Sequence, residues 1–384
     1  MQFVLRSTRV LIRESIRPAD IVIHHDLIED VLPFQSVSGG YDLGNMLIAP
    51  GIVDLHSDAI EKEIEPRPGA HFPIRSSVIE LDKKLTMAGI TTMYHAVAFN
   101  DEAITKNRGT ETAARIIRRI NEADRNQLGV DNLVHARYEL TSFASVPVIK
   151  ELIESGAVHI LSVMDHTPGQ GQFKSIENWK KFHLPVYDLS DSEADLIIEQ
   201  KQRDKLRSYE VVSDLLRFAG ECGLMLLSHD DDSPEKIDLI ADLGIRVSEF
   251  PLDKDVAAYA RDKGIATGMG APNVVRGQSQ SGNVSARELV RAGVCDFLCS
   301  DYHPSSMLQA PYLLHNELQM PLVDAFRMVT ATPAALAGLN DRGEIGSGKL
   351  ADLLVIEDSS IPRVVMTLKR GSAVYNGRGC LGKE

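Results

Sequence analysis

An alternation of strand-like and helix-like segments, repeated from residue 47 to about residue 300, most limits what this chain can fold into. Short apolar runs predict buried strands, and the amphipathic segments between them, among them residues 110–128 and 209–222, predict helices. We predict eight strands, at residues 47–55, 90–97, 133–140, 159–165, 224–228, 246–250, 266–268 and 295–300. Eight such strands alternating with helices predict a (β/α)8 TIM barrel, of the α/β class.

The two ends of the chain predict a second, smaller unit. Short strands are expected at residues 2–5, 19–24 and 27–32, and the tail predicts a hairpin around Gly371. We therefore predict a small β-sandwich domain from residues 1–46 and 344–384, beside a barrel of residues 47–343. A polar, charged insertion at about residues 170–203 carries the single tryptophan, Trp179. It is expected to form a lid, an interface or a solvated helical hairpin.

Composition and charge limit the partners. The net charge of -13 over 384 residues argues against nucleic acid. No apolar run approaches the roughly 18 residues of a membrane span, and the first residues read as a strand rather than a signal peptide. Four cysteines without a CxxC pair argue against a disulfide framework or a zinc ribbon. We expect a cytoplasmic protein with no nucleic-acid or membrane partner, and a homodimer as a further possibility.

Polar side chains gather where the predicted strands end, which is the face that carries active sites in this fold. The first strand ends in His56 and Asp58, which point to the same side because they are two residues apart. Later strand ends add Glu139, His166, His229, Asp230, Glu249 and Asp301. Histidines with carboxylates suit Zn²⁺ or Mn²⁺, and a bridging carboxylate allows two ions. The sequence therefore predicts a divalent metal centre, with zinc favoured over manganese.

Two groups of polar residues near these strand ends have simpler explanations. Asp231 and Asp232 are expected to be solvated carboxylates at a helix N-terminus, where the helix dipole favours negative charge. His95, at the predicted end of the second strand, is expected to be a structural residue or a support for a ligand.

Glycine-rich polar loops on the same face predict an anion site. Small residues in the loops at 166–172 and 268–283 let backbone N–H groups approach an anion, and Arg276 adds a bidentate fork. Plain flexible loops are the alternative. Lys62 and Arg67 could hold phosphates or pair with neighbouring glutamates. The expected substrate contacts are Lys62, Arg67, Thr167, Gln170, Asn273 and Arg276.

Several longer strings match a known pattern. They are Gly51-Ile-Val-Asp-Leu-His-Ser-Asp58, Met164-Asp-His-Thr-Pro-Gly-Gln-Gly-Gln172, Ser228-His-Asp-Asp231, Glu249-Phe-Pro251, Met269-Gly-Ala-Pro-Asn-Val-Val-Arg276, Ser300-Asp-Tyr302 and the tail from Gly343 to Leu353. With these strings the sequence resembles the amidohydrolase superfamily, and within it the diphosphatases of phosphonate metabolism. The resemblance runs from about residue 20 to the tail. The chain departs from the common superfamily pattern in having His-Ser-Asp on the first strand and no suitable lysine on the fourth.

The resemblance implies a reaction and a role for each of several residues. The reaction is hydrolysis of α-D-ribose 1-methylphosphonate 5-triphosphate to the 5-phosphate and pyrophosphate, in the carbon–phosphorus lyase pathway. His56, Asp58 and Asp301 would surround one ion, and His166 and His229 would hold a second, with Glu139 as the bridge. Asp301 and Asp230 are the expected catalytic residues, Asp301 taking the proton of the attacking water. A metal-dependent amidase or deacetylase and a non-catalytic scaffold subunit are the alternatives.

Overall fold

The computed structural model describes residues 2–100, 109–123, 127–167, 175–187, 189–279 and 282–377. Its strands are β1 (Gln2–Ile12), β2 (Ser15–His24), β3 (Leu27–Pro33), β4 (Tyr41–Asp42), β5 (Leu47–Pro50), β6 (Ile52–Ser57), β7 (Ile90–Phe99), β8 (Asp131–Glu139), β9 (Ile160–Met164), β10 (Met225–His229), β11 (Val247–Glu249), β12 (Ala266–Gly270), β13 (Phe297–Cys299), β14 (Leu353–Glu357), β15 (Arg363–Lys369) and β16 (Ser372–Asn376).

Helices separate the strands from β6 to β14. They are α1 (Ala59–Ile64), α2 (Ile74–Ala88), α3 (Thr110–Asn121), α4 (Val146–Glu154), α5 (Ile176–Tyr187), α6 (Asp191–Glu221), α7 (Pro234–Asp242), α8 (Lys254–Asp262), α9 (Ala271–Arg276), α10 (Ala286–Arg291), α11 (Ser306–Leu318), α12 (Leu322–Arg327) and α13 (Ala331–Leu336). Among the described residues, none of these helices is both long and apolar enough to cross a membrane.

Strands β6 to β13 form one parallel sheet in chain order, each strand hydrogen-bonded to the next. A bridge between Ser57 and Asp301 brings the end of the last strand against the first. The Asp301 amide donates to the His56 carbonyl at 2.9 Å. These contacts close the ring and confirm the predicted eight-stranded barrel.

The strand predicted at residues 47–55 is in fact two strands that belong to different sheets. Strand β5 pairs with β1 and β14 of the terminal sheet, whereas β6 begins the barrel. Gly51 joins them, and a Cβ at this position would lie 2.3 Å from the Thr91 hydroxyl. The chain therefore crosses between sheets at a glycine because no side chain fits there. The division into domains predicted at residues 46 and 47 stays a prediction.

Two helices differ in length from their predictions. Helix α3 ends at Asn121 rather than residue 128, and the Asn121 amide donates to the carbonyls of Ile117 and Ala157 there. The helix predicted at 209–222 is only the second half of α6, which starts at a capping box formed by Ser190 and Glu193. The first half of α6, with α5, makes up most of the predicted insertion. Helices α11 to α13 were not predicted.

The remaining strands form a second sheet built from both ends of the chain. Its order is β16-β15-β14-β5-β1-β2-β3, with β4 paired to β1. Along β14 the side chains alternate between two cores: Leu354 and Ile356 pack into the main core of the barrel, and Leu353 and Val355 into the core of the terminal sheet. This sheet confirms the small β domain predicted from both termini.

An ion-pair network joins the terminal sheet to the barrel. Asp131, at the start of β8, accepts hydrogen bonds from Lys369 Nζ at 2.7 Å and from Arg342. Lys369, at the end of β15, also donates to Asp352 at 2.7 Å. Charged contacts therefore reinforce the apolar contacts between the two sheets.

Candidate metal centre

The strand ends of the barrel bring three buried side chains together. His56 is the last residue but one of β6, His229 ends β10 and Glu249 ends β11. One ligand atom from each lies within 4.8 Å of the others. His56 Nδ1 is 3.0 Å from Glu249 Oε2. The sequence placed Glu249 at a strand end but gave it no role as a ligand.

Two further groups share residues with the first. His56, Asp58 and Asp301 form one group within 4.8 Å, and His166, His229 and Asp230 form another. The three groups make one continuous cluster, because His56 and His229 each belong to two of them. The structure thus brings together five of the six predicted ligands, namely His56, Asp58, His166, His229 and Asp301.

The sixth predicted ligand, Glu139, lies beside the cluster. Its Oε2 is 2.9 Å from His166 Nδ1, and its Oε1 accepts a hydrogen bond from the His166 amide at 3.2 Å. Glu139 belongs to none of the three groups found among the described residues. The bridging role expected for it stays a prediction, and its observed neighbours are His166 and Lys201.

Left-handed backbone conformations hold three residues at the strand ends. Asp230, Phe250 and Asp301 have φ angles of 53°, 55° and 54°. Each has its amide fixed by a carbonyl of a neighbouring strand: Asp230 by Glu249, Phe250 by Gly268 and Asp301 by His56. Non-glycine residues in this region are strained and often occur at functional sites. The barrel therefore imposes these directions on the Asp230 and Asp301 side chains.

A partly buried arginine, Arg137, contacts residues of two of the groups. Arg137 Nη1 donates to Asp58 Oδ1 at 2.8 Å, and Nη2 is 3.2 Å from His229 Nε2. Arg137 comes from β8, where His135, Arg137 and Glu139 alternate with outward-facing residues. No role for Arg137 was predicted from the sequence.

Burial and neighbouring charges shift the titration of the cluster. Burial disfavours the charged form of His56, but Glu249 and Asp58 outweigh it and raise the pKa of His56 to about 10. Glu139 and Asp230 likewise raise the pKa of His166 to about 9 against its burial. Burial and the nearby Asp58 carboxylate raise the pKa of Asp301 to about 6. Protons on the two histidines thus balance carboxylate charge that a bound cation would otherwise balance.

Two other buried histidines lie near the site. His95 is inside β7, which continues to Phe99 beyond the predicted end, and its Nε2 is 2.7 Å from Asn132 Oδ1. It therefore lies outside the three ligand groups, as expected for a structural residue. His135 was missed because it lies within its strand rather than at the end. Its Nδ1 is 3.0 Å from the Leu55 carbonyl, and burial lowers its pKa to about 3. The alternation with Arg137 and Glu139 was the signal that could have revealed it.

Two of the expected substrate contacts meet at one aromatic ring. Lys62 Nζ lies 4.7 Å from the centroid of the Tyr302 ring, and Arg276 Nη1 donates to the Tyr302 hydroxyl at 3.3 Å. Tyr302 directly follows Asp301, so both cations lie beside the ligand cluster. The sequence predicted the two cations separately and did not predict that Tyr302 joins them.

The other expected substrate contacts lie in different surroundings. Arg67 is in an exposed turn that pairs with Ala70. Thr167 is buried, and its hydroxyl has no hydrogen-bond partner among the described residues. Asn273 Oδ1 accepts a hydrogen bond from the Ala286 amide at 3.0 Å and so supports the start of α10. Gln170 lies outside the described residues.

The donor set fits a divalent cation. Imidazole nitrogens and carboxylate oxygens are ligands that zinc and manganese both accept. His56 Nε2 and Glu249 Oε1 are buried and have no hydrogen-bond partner in the described part of the chain. Buried polar atoms without partners are uncommon in native proteins. A cation held by His56 and Asp58 would give His56 Nε2 a partner.

The fold and the site together define a class of protein: a (β/α)8 barrel with a candidate metal centre at the carboxyl ends of its strands. Residues 207–374 match the Amidohydrolase family. The chain is also 34% identical over 315 residues to alpha-D-ribose 1-methylphosphonate 5-triphosphate diphosphatase from Escherichia coli (strain K12), covering 80% of this chain and 82% of that protein. The chain belongs to the amidohydrolase family.

Solved structures share the fold at low sequence identity. Dihydropyrimidinase from Brevibacillus agri NCHU1002 matches with a TM-score of 0.65 and 13% identity, over 98% of this chain and 95% of that one. N-acetylglucosamine-6-phosphate deacetylase from Pasteurella multocida matches with a TM-score of 0.65 and 13% identity, over 98% and 100%. At such identities the likeness establishes the fold alone.

Proposed function

We propose that this chain is a metal-dependent hydrolase that cleaves α-D-ribose 1-methylphosphonate 5-triphosphate to the 5-phosphate and pyrophosphate, in the carbon–phosphorus lyase pathway of phosphonate degradation. The observation that carries the proposal is the 34% identity to the Escherichia coli diphosphatase over 80% of the chain. The cations at Tyr302 support it, because a triphosphate needs positive charge beside the reacting group.

Two divalent ions, zinc or manganese, are the proposed cofactor. His56, Asp58 and Asp301 would hold one ion, and His166 and His229 would hold the other, with Asp230 beside them. Such ions polarise a phosphoryl oxygen and lower the pKa of water toward neutrality. Glu249 supports the site through its contact with His56 at 3.0 Å.

Asp301 is the proposed general base. Its carboxylate lies at the edge of the ligand cluster, where its left-handed backbone directs it. Before a cation binds, burial and the Asp58 carboxylate raise the pKa of Asp301 to about 6, and a bound cation would favour the ionised carboxylate, which is the form that accepts a proton. Asp301 would take the proton from the attacking water. Asp230, which is 3.1 Å from His229 Nδ1 and 3.8 Å from His166 Nε2, would fix both rings.

Lys62 and Arg276 are the proposed contacts for the departing pyrophosphate. Attack at the α-phosphorus places negative charge on the bridging oxygen and on the leaving group. Cations that are already in position stabilise that charge without reorganisation. A small phosphorylated substrate of this kind also accords with a cytoplasmic location, since a triphosphate does not cross membranes unaided.

Phosphorus NMR in ¹⁸O-labelled water tests the proposal. The zinc- or manganese-loaded protein is incubated with the proposed substrate, or with a nucleoside 5-triphosphate as a substitute. We expect pyrophosphate to be released and ¹⁸O to appear in the 5-monophosphate, because water attacks the α-phosphorus. Label in inorganic phosphate, or no cleavage of a phosphate bond by metal-loaded protein, would contradict the proposal.

Removal of metal separates the remaining alternatives. Dialysis against a chelator should abolish turnover, and added zinc or manganese should restore it. A panel of N-acyl and cyclic amide substrates, run on the same preparation, tests for an amidase or deacetylase. Protein purified without chelator that holds no metal and cleaves none of these substrates would support a scaffold role instead.

A further inference from the structure

The insertion is held together by a small core of its own. Trp179 in α5 is fully buried and packs with Ala194 and Ile198 of α6. Helix α6 begins at the Ser190–Glu193 capping box and continues for 31 residues to Glu221 in the barrel wall. The first half of α6 therefore has a fixed position relative to the barrel, because both halves belong to one helix.

Lys201 extends from this helix into the region of the site. It lies three residues after Ile198 and so on the same side of α6. Only 3% of the residue is exposed. Its Nζ donates to Glu139 Oε1 at 3.3 Å and to Thr141 Oγ1 at 3.2 Å. A buried ammonium is unfavourable unless it is paired, so these contacts account for its burial.

Glu139 connects Lys201 to the ligand cluster. The carboxylate that accepts from Lys201 also accepts from the His166 amide, and its second oxygen is 2.9 Å from His166 Nδ1. Glu139 therefore contacts Lys201 on one side and His166 on the other. Carboxylates placed against one nitrogen of a metal-binding histidine fix the ring and the other nitrogen.

We propose that Lys201 is a positioning residue for the candidate metal centre. Its ammonium fixes the Glu139 carboxylate, and Glu139 holds the His166 ring so that Nε2 is directed toward His229 and Asp230. The inserted helix is thus part of the active centre rather than an accessory to it. This inference rests on the proposed function in one respect, because it takes the His166 group as a metal site.

A double-mutant cycle on the full-length protein tests this role. Lys201→Met, Glu139→Gln and the combined variant are compared with wild type. Affinity for Zn²⁺ is measured by competition with a chromophoric chelator, and kcat and KM are measured with a nucleoside triphosphate. Lys180→Met is the matched control, since Lys180 lies in the same insertion but pairs with Asp191 and Asp195. Trp179 fluorescence reports whether the insertion stays packed.

We expect Lys201→Met to weaken binding of one zinc ion by about 10- to 100-fold, the usual effect of removing a group that orients a ligand. In the Glu139→Gln background the same change should alter zinc affinity less than twofold, because Lys201 acts through Glu139. The fall in activity should appear in kcat more than in KM. Lys180→Met and the Trp179 emission maximum should match wild type. If Lys201→Met does not fold, Lys201→Gln replaces it in the same cycle.

Four results would overturn the inference. Zinc affinity within twofold of wild type in Lys201→Met would show that the lysine does not support the site. An equal loss of zinc affinity on Lys201→Met in the wild-type and the Glu139→Gln proteins would show that the lysine does not act through Glu139. A loss of zinc affinity accompanied by a red shift of Trp179 emission would show that Lys201 only holds the insertion in its packed form. Wild-type protein that retains no zinc would overturn the proposed function along with this inference.

Discussion

At the scale of single residues, Asp301 makes one set of contacts with its backbone and another with its side chain. Its backbone closes the barrel, since its amide donates to His56 and its carbonyl accepts from the Asp58 amide at 2.6 Å. Its side chain reaches the ligand group of His56 and Asp58. Because the main chain alone makes the closing contacts, the carboxylate can be changed with the ring left intact.

Asp301→Asn should therefore keep the fold and lose turnover. Asparagine retains an oxygen that can face a metal but cannot accept a proton, so we expect kcat to fall by roughly 10²- to 10⁴-fold. Metal content by mass spectrometry and steady-state kinetics, measured on one preparation, check this. Full activity in this variant would remove Asp301 from the mechanism.

Lys62→Met and Arg276→Met should each weaken binding of a triphosphate. Both cations contact Tyr302, and loss of one contact to a charged group costs about 1.4 kcal/mol or more. We expect KM to rise about tenfold for each variant with the zinc content unchanged. Lys83→Met, which alters an exposed lysine of α2 that pairs with Glu80, is the control. A rise in KM for Lys83→Met equal to the others would mean that general surface charge, not these positions, attracts the substrate.

At the scale of strands and helices, periodicity predicted much of the framework. Buried parallel strands read as continuous apolar runs, and all eight barrel strands overlap their predicted ranges. Prediction from the sequence failed where the structure depends on a contact between residues far apart in the chain. Gly51 divides an unbroken apolar run between two sheets because of Thr91, a residue 40 positions away in the chain. In the sequence Lys201 is one of many charged residues in a polar insertion. Its contact with Glu139 is evident only in the folded chain.

The strand ends show the same limit for the site. Because strand ends meet on one face, His56, His166 and His229 were predicted as a group from their positions alone. His135 was not, because it lies within β8. Asn132, the partner of His95, lies at the start of β8, just before the predicted strand. Tyr302 could not be foreseen as a meeting point for two cations from different loops.

Gly268→Ala should destabilise the barrel at β12. A Cβ there would lie 2.2 Å from the Phe297 ring on β13, and that ring is fully buried. We expect a loss of about 1–3 kcal/mol in the free energy of unfolding, the usual penalty for overpacking. Gly220→Ala in α6 is the control with the opposite sign. Its Cβ meets only Leu226 at 3.7 Å, so it should stabilise by about 0.4–1 kcal/mol. Denaturant unfolding measures both, and no loss for Gly268→Ala would contradict the packing seen here.

At the scale of the whole molecule, the two sheets are joined by packing and by the charges around Asp131. Burial alone would raise the pKa of Asp131, but Lys369 and Arg342 outweigh it and hold the pKa below its ordinary value. A carboxylate with a lowered folded-state pKa stabilises the fold above its unfolded pKa. That contribution is lost as pH falls through the folded-state value.

Asp131→Asn should accordingly destabilise the protein at pH 7 and have less effect in acid. We expect a loss of roughly 1–3 kcal/mol at pH 7, because the change removes charged hydrogen bonds from Lys369 and Arg342. The difference from wild type should shrink as pH falls below about 4. Urea unfolding at several pH values measures this, with Asp238→Asn, an exposed partner of Lys263, as the control. A difference that does not depend on pH would exclude the charge as its cause.

The closing contact between Ser57 and Asp301 has a consequence for how the protein matures. One ligand group takes His56 and Asp58 from the first barrel strand and Asp301 from just after the last. The group therefore cannot assemble during synthesis until residue 301 has left the ribosome and the ring has closed. A cation that binds this group binds the finished barrel and not its unfolded precursors, so it stabilises the finished barrel by mass action. The metal would then act as a check on completed folding before it takes part in any reaction.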